Sequence, residues 1–313
     1  MGRFLALRLI ATIPVMGVVA IVVFLLVRID RGKAAAQLCG DNCPPERLAE
    51  IMTRLGMDRP IWEQFAVWLV QLLEGDFGRS IQSQIPVLRL IGDRIEPTLS
   101  LAATTLLFSV VVAVPMGIVA AWQHGKWPDR LIMIFSVIGF SVPVFVLGYI
   151  LILVFPLNLG WFHVQGFQSI RDGVGGFLSR IALPTLALSV IYIALVARIT
   201  RTSMLEALSQ DYIRTAYAKG AATHAVLIGH ALRNAAVPIV SVIGIGLVLL
   251  IGGVVVTETV FNIPGIGRLT VEAILGGDHP IIQGVLLVFA VIYVLINLVI
   301  DVLYTMLDPR IRY

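Results

Sequence analysis

Long apolar runs alternate along this chain with short polar segments, and each run is about as long as a bilayer crossing. A spanning helix needs about 20 mostly apolar residues. Six runs reach that length: 9–27, 98–122, 131–155, 178–197, 235–256 and 281–307. Prolines 14, 115, 143 and 184 fall inside them, and packed neighbours in a membrane satisfy the carbonyls that a proline frees. The pattern predicts an all-α integral membrane protein with six transmembrane helices. The expected layout is an N-terminus and first crossing over 1–27, a longer polar segment over 28–97, and a five-helix core over 98–313 with a loop at 198–234. Arg3 and Arg8 before the first run, and Ala34-Ala35-Ala36 after it, mimic a secretory signal. The run exceeds the usual apolar core of such a signal, about 7–15 residues, so an uncleaved anchor is expected.

Composition agrees with a lipid surround. The chain of 313 residues is 58% hydrophobic and 13% charged, whereas soluble domains are about 25% charged. The net charge of +4 has to be read by position. Aromatic and basic residues do not interleave, which argues against nucleic-acid binding.

Basic residues in short loops set orientation. With the N-terminus cytoplasmic, the inner segments hold Arg3, Arg8, Lys126, Arg130, Arg198, Arg201, Arg214, Lys219, Arg233, Arg310 and Arg312. The short outer loops hold Arg171, Arg180 and Arg268. Both termini are therefore expected in the cytoplasm, and 28–97 on the far side. That exported segment reads as helical. Leu48, Ile51, Met52 and Leu55 share one face, as do Ile61, Phe65, Trp68, Leu69 and Leu72, with Gly56 and Pro60 between them. Such helices suit either a membrane surface or a soluble partner. Cys39 and Cys43 lie in the same segment, in "CGDNCPP". An exported location permits a disulfide between them, with two free thiols as the alternative. No neighbouring Cys or His completes a metal site.

Chemistry of the catalytic kind is missing. No lysine (33, 126, 219) sits in a phosphate-cradling G-x-x-x-x-G-K-[ST] pattern. The G-x-G pairs at 244–246 and 265–267 follow no strand, so they make no dinucleotide site. The histidines have no metal-ligand spacing, and no serine stands in a nucleophile elbow. The chain is not expected to be an enzyme. Asn297 and Asp301 share a face of the last run. Interhelical hydrogen bonding, or a pair with Arg198 or Arg201, is the expected reason. Glu258 marks the outer end of the fifth run.

The loop at 198–234 is unusually rich for a connection. The fourth run continues as "ARITRTSMLEAL", and "DYIRTAYAKG" predicts a short helix ending at Gly220, where a left-handed C′ position suits glycine. Thr223 is a candidate N-cap for a second helix, "HAVLIGHALRN", leading into the fifth run. Ala216, Ala218, Gly220, Ala221 and Ala222 are small enough to let another protein approach closely.

This stretch resembles the cytoplasmic coupling loop of permease subunits in ATP-binding-cassette importers, and more narrowly that of the dipeptide/oligopeptide type. Asp211, Tyr212, Arg214, Thr215, Ala216, Ala218, Lys219, Gly220, His230, Ala231, Leu232, Arg233, Asn234, Ala235 and Pro238 carry the match. "LGMDRPIWEQF" (55–65), "GDFGRSI" (75–81), "ETVFNIPGIGRL" (258–269) and "DVLYTMLDPRIRY" (301–313) are similar to other segments of the family, in the same order. The chain departs from it after the first run, where "RIDRGKAAAQLCGDNCPP" replaces a Pro-Gly-Asp-Pro-like segment. It also has Arg214-Thr215-Ala216 where the wider superfamily has Glu-Ala-Ala.

The resemblance implies a type I importer permease fold in a bacterial inner membrane. It implies a homologous second permease subunit, two ATP-binding-cassette ATPase subunits or domains, and a periplasmic solute-binding protein. ATP and magnesium would belong to the ATPases, with no cofactor on this chain. The coupling loop would be carried by Asp211, Tyr212, Arg214, Thr215, Ala216, Lys219, Gly220, Arg233 and Pro238, and the periplasmic loop by Phe261, Pro264, Gly265 and Gly267. Spans three to five would line the pathway, with Gly244, Gly246, Gly252 and Gly253 allowing close helix approach. A peptide is the expected cargo; a nickel chelate, glutathione, an opine or an oligosaccharide would use the same machine. A stand-alone secondary transporter would instead show an inverted repeat and several intramembrane charges, and the chain shows neither clearly.

Overall fold

Uninterrupted apolar sequence makes long helices here because a buried or lipid-facing backbone has to satisfy its own amides. The computed structural model describes residues 2–28, 44, 46–47, 53 and 59–307. Its helices are α1 (Gly2–Arg28), α2 (Ile61–Leu73), α3 (Val87–Trp122), α4 (Trp127–Ser141), α5 (Val144–Ile152), α6 (Val174–Leu208), α7 (Asp211–Ala218), α8 (Leu232–Val260), α9 (Ile266–Gly276) and α10 (His279–Leu307). A π-helical stretch, Leu153–Leu159, extends α5, and another, Ala225–Ala231, leads into α8. No strand is present among the described residues; Arg79 and Pro86 form an isolated bridge.

Packing separates the chain into two compact units, one formed by Met1–Glu96 and Arg268–Val294, the other by Pro97–Gly267 and Leu295–Tyr313. In the larger unit α6 is the central helix, buried along most of its length. It shares one apolar cluster with α3, α5 and α8 through Leu101, Leu151, Leu188, Tyr192, Leu250 and Val254. Glycines bring its neighbours close. An added Cβ at Gly117 would lie 2.5 Å from Thr200 Cβ, one at Gly139 would lie 3.0 Å from Val190, and one at Gly253 would lie 2.6 Å from Leu188. Gly246 lies against Tyr192 in the same way and Gly244 against Ile300 of α10, whereas Gly252 faces open space. The outward side chains are apolar too, as at Leu107 (67% exposed) and Val137 (62% exposed). A helix apolar on both its inner and outer faces belongs in lipid.

In the smaller unit, Phe24 of α1 meets Phe65 of α2 edge-on at 5.1 Å and Trp68 at 5.5 Å between ring centres. Ser80 Oγ donates to Asp278 Oδ2 at 2.5 Å, and the Gln82 amide donates to the same oxygen at 3.3 Å. Glu272 receives Arg94 and Arg268. The second half of the predicted exported segment is thus the helix expected. The first half, 44–58, lies mostly outside the described residues, as do Cys39 and Cys43.

Among the described residues, four helices are long and apolar enough to cross a membrane: Val87–Trp122, Val174–Leu208, Ala225–Val260 and His279–Val302. The third expected crossing, 131–155, is not one straight helix. It breaks between Ser141 and Val144, and its two arms are bent by 98°. Val142 is extended (φ −85°, ψ 120°), which is the conformation a following proline imposes. Pro143 then starts α5 without an amide to give. Counted as one bent crossing, this pair brings the total to five. The shorter apolar helix Ile10–Leu26, within α1, stands where the first crossing is expected.

Candidate functional site

The loop after α6 is anchored by apolar side chains, with Ile213 the one that seats its short helix. α7 is only eight residues long, too short to be stable alone. Ile213, 3% exposed, seats it in a cluster with Met204, Ala207, Val226, Leu227 and Ala231, and Ala121 from α3 joins them. Ala216 and Ala221 pack against the same cluster. The helix ends in a Schellman turn. The Gly220 amide donates to Tyr217 O at 2.9 Å and the Ala221 amide to Ala216 O at 3.1 Å. Gly220 adopts φ +81° there, with open space where a Cβ would stand. The glycine is required by backbone conformation, not by crowding.

The outward face of α7 carries the other predicted residues. Asp211, Tyr212, Arg214, Thr215, Ala218 and Lys219 are exposed. Arg214 Nη1 lies 3.4 Å from Asp211 Oδ1, with both side chains more than four-fifths exposed. So solvated a pair adds little to stability. Thr215 Oγ1 donates back to Asp211 O at 3.1 Å. Arg233 and Pro238 lie beyond this helix, on the first turns of α8, and both are exposed. Thr223 makes no capping bond; the helical chain instead continues from His224 into the π-helical stretch.

Beside this loop an ion pair ties the α3–α4 turn to α6. Arg201 grips Asp129 with two donors, Nε on Oδ1 and Nη2 on Oδ2 at 2.9 Å. Asp129 Oδ2 also accepts the Gly125 amide at 2.9 Å, and His124 Nδ1 lies 3.3 Å from it. Asp129 is 3% exposed, so its charge depends on these partners. Arg201 was one of the partners expected for Asp301, with Arg198 and interhelical hydrogen bonding as the alternatives; its guanidinium is held by Asp129.

The second predicted site, after α8, is built around a residue that sequence reasoning placed only as a boundary mark. Glu258 is fully buried. Its Oε1 accepts Thr98 Oγ1 at 2.6 Å, and Thr98 Oγ1 accepts the Ile266 amide at 2.8 Å. One hydroxyl thereby joins α3, the end of α8 and the first turn of α9. The chain gets there by a second Schellman turn: the Ile263 amide donates to Glu258 O at 2.8 Å, with Asn262 at φ +52°. Phe261 and Ile263 are buried and Pro264 is exposed. An added Cβ at Gly265 would land on the Glu258 carboxylate, and one at Gly267 would lie 2.6 Å from the Val255 Cα as well. The two glycines of "PGIG" therefore make room for a buried carboxylate. A glutamate next to a G-x-G at the end of an apolar run was the available signal.

No group of three or more His, Cys, Asp or Glu able to hold a metal ion exists among the described residues. What the geometry offers is a helix presented outward at one loop and a buried polar joint at another.

Residues 113–313 match the family described as binding-protein-dependent transport system inner membrane component, and 1–102 match the N-terminal part of such components. The chain belongs to this family. It is a permease component of an ATP-binding-cassette importer, as the resemblance implied. Among curated relatives of this inner membrane component is y4tP of Sinorhizobium fredii (strain NBRC 101917 / NGR234), named as a peptide ABC transporter permease. It is 52% identical over 313 residues, covering 100% of both chains. A peptide transport system permease of Brucella abortus (strain 2308) is 42% identical, covering 98% of each chain. The glutathione transport system permease GsiC of Escherichia coli (strain K12) is 39% identical, covering 100% of each. Among solved structures, a chain of the MetNI methionine ABC transporter in an inward-facing conformation superposes with a TM-score of 0.59. It shares 19% identity and covers 71% of this chain and 97% of its own. That likeness is one of fold. The inner membrane component is thus a multi-pass permease of the peptide-transport type.

Proposed function

We propose that this chain forms one half of the peptide pathway of an ATP-driven importer in a bacterial inner membrane, beside a homologous second permease. Six crossings place both termini in the cytoplasm, as the basic residues of the short loops support. Two ATPase subunits or domains dock on the cytoplasmic side, where they hold ATP and magnesium. A periplasmic solute-binding protein delivers cargo to the other side.

The observation that carries the reading is the build of α7. Ile213 fixes it to the bundle by one face, while Asp211, Tyr212, Arg214 and Lys219 point away from it. A helix held in this way can follow a docked ATPase as a rigid body and pass that motion to α6 and α8. Arg214 and Lys219 suit acidic groups on the ATPase, and exposed Ala218 allows close contact.

A tag on this chain, a pull-down from solubilised membranes and an ATPase assay test the reading. Co-purification of a second permease and an ATPase is expected, with peptide-stimulated ATPase activity lost in Ala218→Glu. A chain that purifies alone, or an ATPase indifferent to that change, would remove the docking role. Glutathione is the second cargo to assay, because GsiC is similar over its full length.

A further inference from the structure

The turn between α3 and α4 is flanked by two exposed tryptophans. At about 100° per residue, Phe108, Val111, Val119 and Trp122 share one face of α3, and all four are exposed. Ala113, Gly117 and Ala120 lie on the opposite, buried face. α4 repeats the arrangement. Trp127, Leu131, Ile134 and Ile138 form an exposed apolar stripe, opposite the buried Asp129, Ser136 and Gly139. Each stripe ends at the turn in a tryptophan, 53% exposed for Trp122 and 72% for Trp127.

The apolar run 98–122 rises about 36 Å as a helix, slightly more than the hydrocarbon core of a bilayer, about 30 Å. Trp122 is its last residue, so the turn stands at the membrane boundary, where tryptophan is enriched. Charge decides what meets it there. Lys126 and Arg130 are exposed, and neither makes an ion pair with a described residue. The acid between them, Asp129, faces the other way and is neutralised by Arg201, so it does not offset them. A soluble partner would meet these cations but not the stripes that continue from them into the bilayer. An anionic headgroup meets both, with its phosphate at the cations and its acyl chains along the stripes.

We propose that the α3–α4 turn binds the headgroup of an anionic phospholipid of the cytoplasmic leaflet through Lys126 and Arg130, with Trp122 and Trp127 at the headgroup level. This rests on the membrane orientation given under Proposed function. The turn is preset for a ligand. Gly125, at φ +77°, donates its amide to Asp129 Oδ2 at 2.9 Å, and Arg201 of α6 grips the same carboxylate. Ala121, one residue before Trp122, packs in the cluster that seats α7. A lipid held at the turn therefore bears on the base of the coupling loop.

The test uses the full chain, with the subunits that co-purify with it, in nanodiscs of phosphatidylcholine and phosphatidylglycerol. Bromine on an acyl chain quenches tryptophan on contact, and only one of the two lipids is brominated at a time, at increasing share. The emission of Trp127 is isolated as the difference from Trp127→Phe. Half-quenching is expected at about fivefold less brominated phosphatidylglycerol than brominated phosphatidylcholine, the effect of one basic residue at an anionic surface. Lys126→Gln with Arg130→Gln should remove that difference, while Lys126→Arg with Arg130→Lys, which retains both charges, should keep it. Equal quenching by the two lipids would show lipid contact without headgroup recognition, and quenching by neither would show the turn covered by protein. A preference that survives the double glutamine change would clear the two cations. Each of these results overturns the proposal. An impermeant maleimide on His124→Cys, in a Cys39→Ser, Cys43→Ser background, separates the failures. Labelling from the exported side alone overturns the orientation and the proposal with it, whereas labelling from the cytoplasmic side alone leaves the orientation standing even where the lipid preference is absent.

Discussion

The hydroxyl of Thr98 lies 2.6 Å from the carboxylate of Glu258, a residue 160 positions away in the chain, and it accepts the Ile266 amide at 2.8 Å. The middle of one helix and the ends of two others therefore meet at one oxygen. A carboxylate buried in an apolar surround needs its donors, so the joint closes only in the geometry where α3, α8 and the start of α9 come together. In a permease that alternates between conformations, such a joint moves as one piece or breaks at a cost.

Thr98→Val keeps the shape and removes the hydroxyl. Glu258 then loses one donor and the Ile266 amide one acceptor, both in buried positions. The expected loss is about 1–3 kcal/mol, read as a lower unfolding temperature in detergent. Thr98→Ser, which retains the hydroxyl, should recover most of it. An unchanged midpoint in Thr98→Val would mean that the joint carries no load.

Asp129→Ala leaves Arg201 without its carboxylate in a largely buried place. Removing one partner of a buried pair costs about 3–5 kcal/mol, and the 18% exposure of Arg201 puts this case toward the lower end. The double change with Arg201→Met should cost less than the sum of the single changes. Additive losses would show the two side chains to be independent.

Glycine at a helix crossing is a measurable claim. Gly117→Val would drive a side chain into Thr200 and the Ala197 carbonyl, and overpacking of this kind costs about 1–3 kcal/mol. Gly252→Ala, in open space, should leave expression and stability unchanged. Equal sensitivity at both positions would mean that crowding is not what selects glycine here.

Much of this was legible from local pattern. Helices followed the apolar runs, and Gly220 took the left-handed position that "AYAKG" announces, because both depend on neighbours in sequence. The bend at Pro143 was not legible. A proline in an apolar run is tolerated or breaks the helix according to the groups that surround it, and those come from distant segments. Glu258 read as a boundary mark because its partner, Thr98, sits on another helix. Charge counting put Asp129 and Arg201 on the same side of the membrane without pairing them. Ala216 and Ala218 look alike in sequence. Only the seating of Ile213 shows that the first packs inward and the second faces out.

That difference yields the sharpest test of the coupling loop. Ala216→Asp places a charge against the cluster around Ile213, so it should loosen α7 from its own chain and lower stability as well as transport. Ala218→Asp changes only the exposed face, so transport should fall while the unfolding temperature holds. Gly220→Ala meets no neighbour but has to adopt φ +81°, at about 1–2 kcal/mol. Its defect should therefore lie in the end of α7, with a partial loss of uptake. Gly220→Asp adds a negative charge where Arg214 and Lys219 are expected to meet an acidic partner, and uptake should fall further. Uptake of labelled peptide by cells, set against melting curves of the purified chain, separates these outcomes. Wild-type uptake in both Ala218→Asp and Gly220→Asp at normal expression would remove α7 from the transmission of motion and leave it a packed turn.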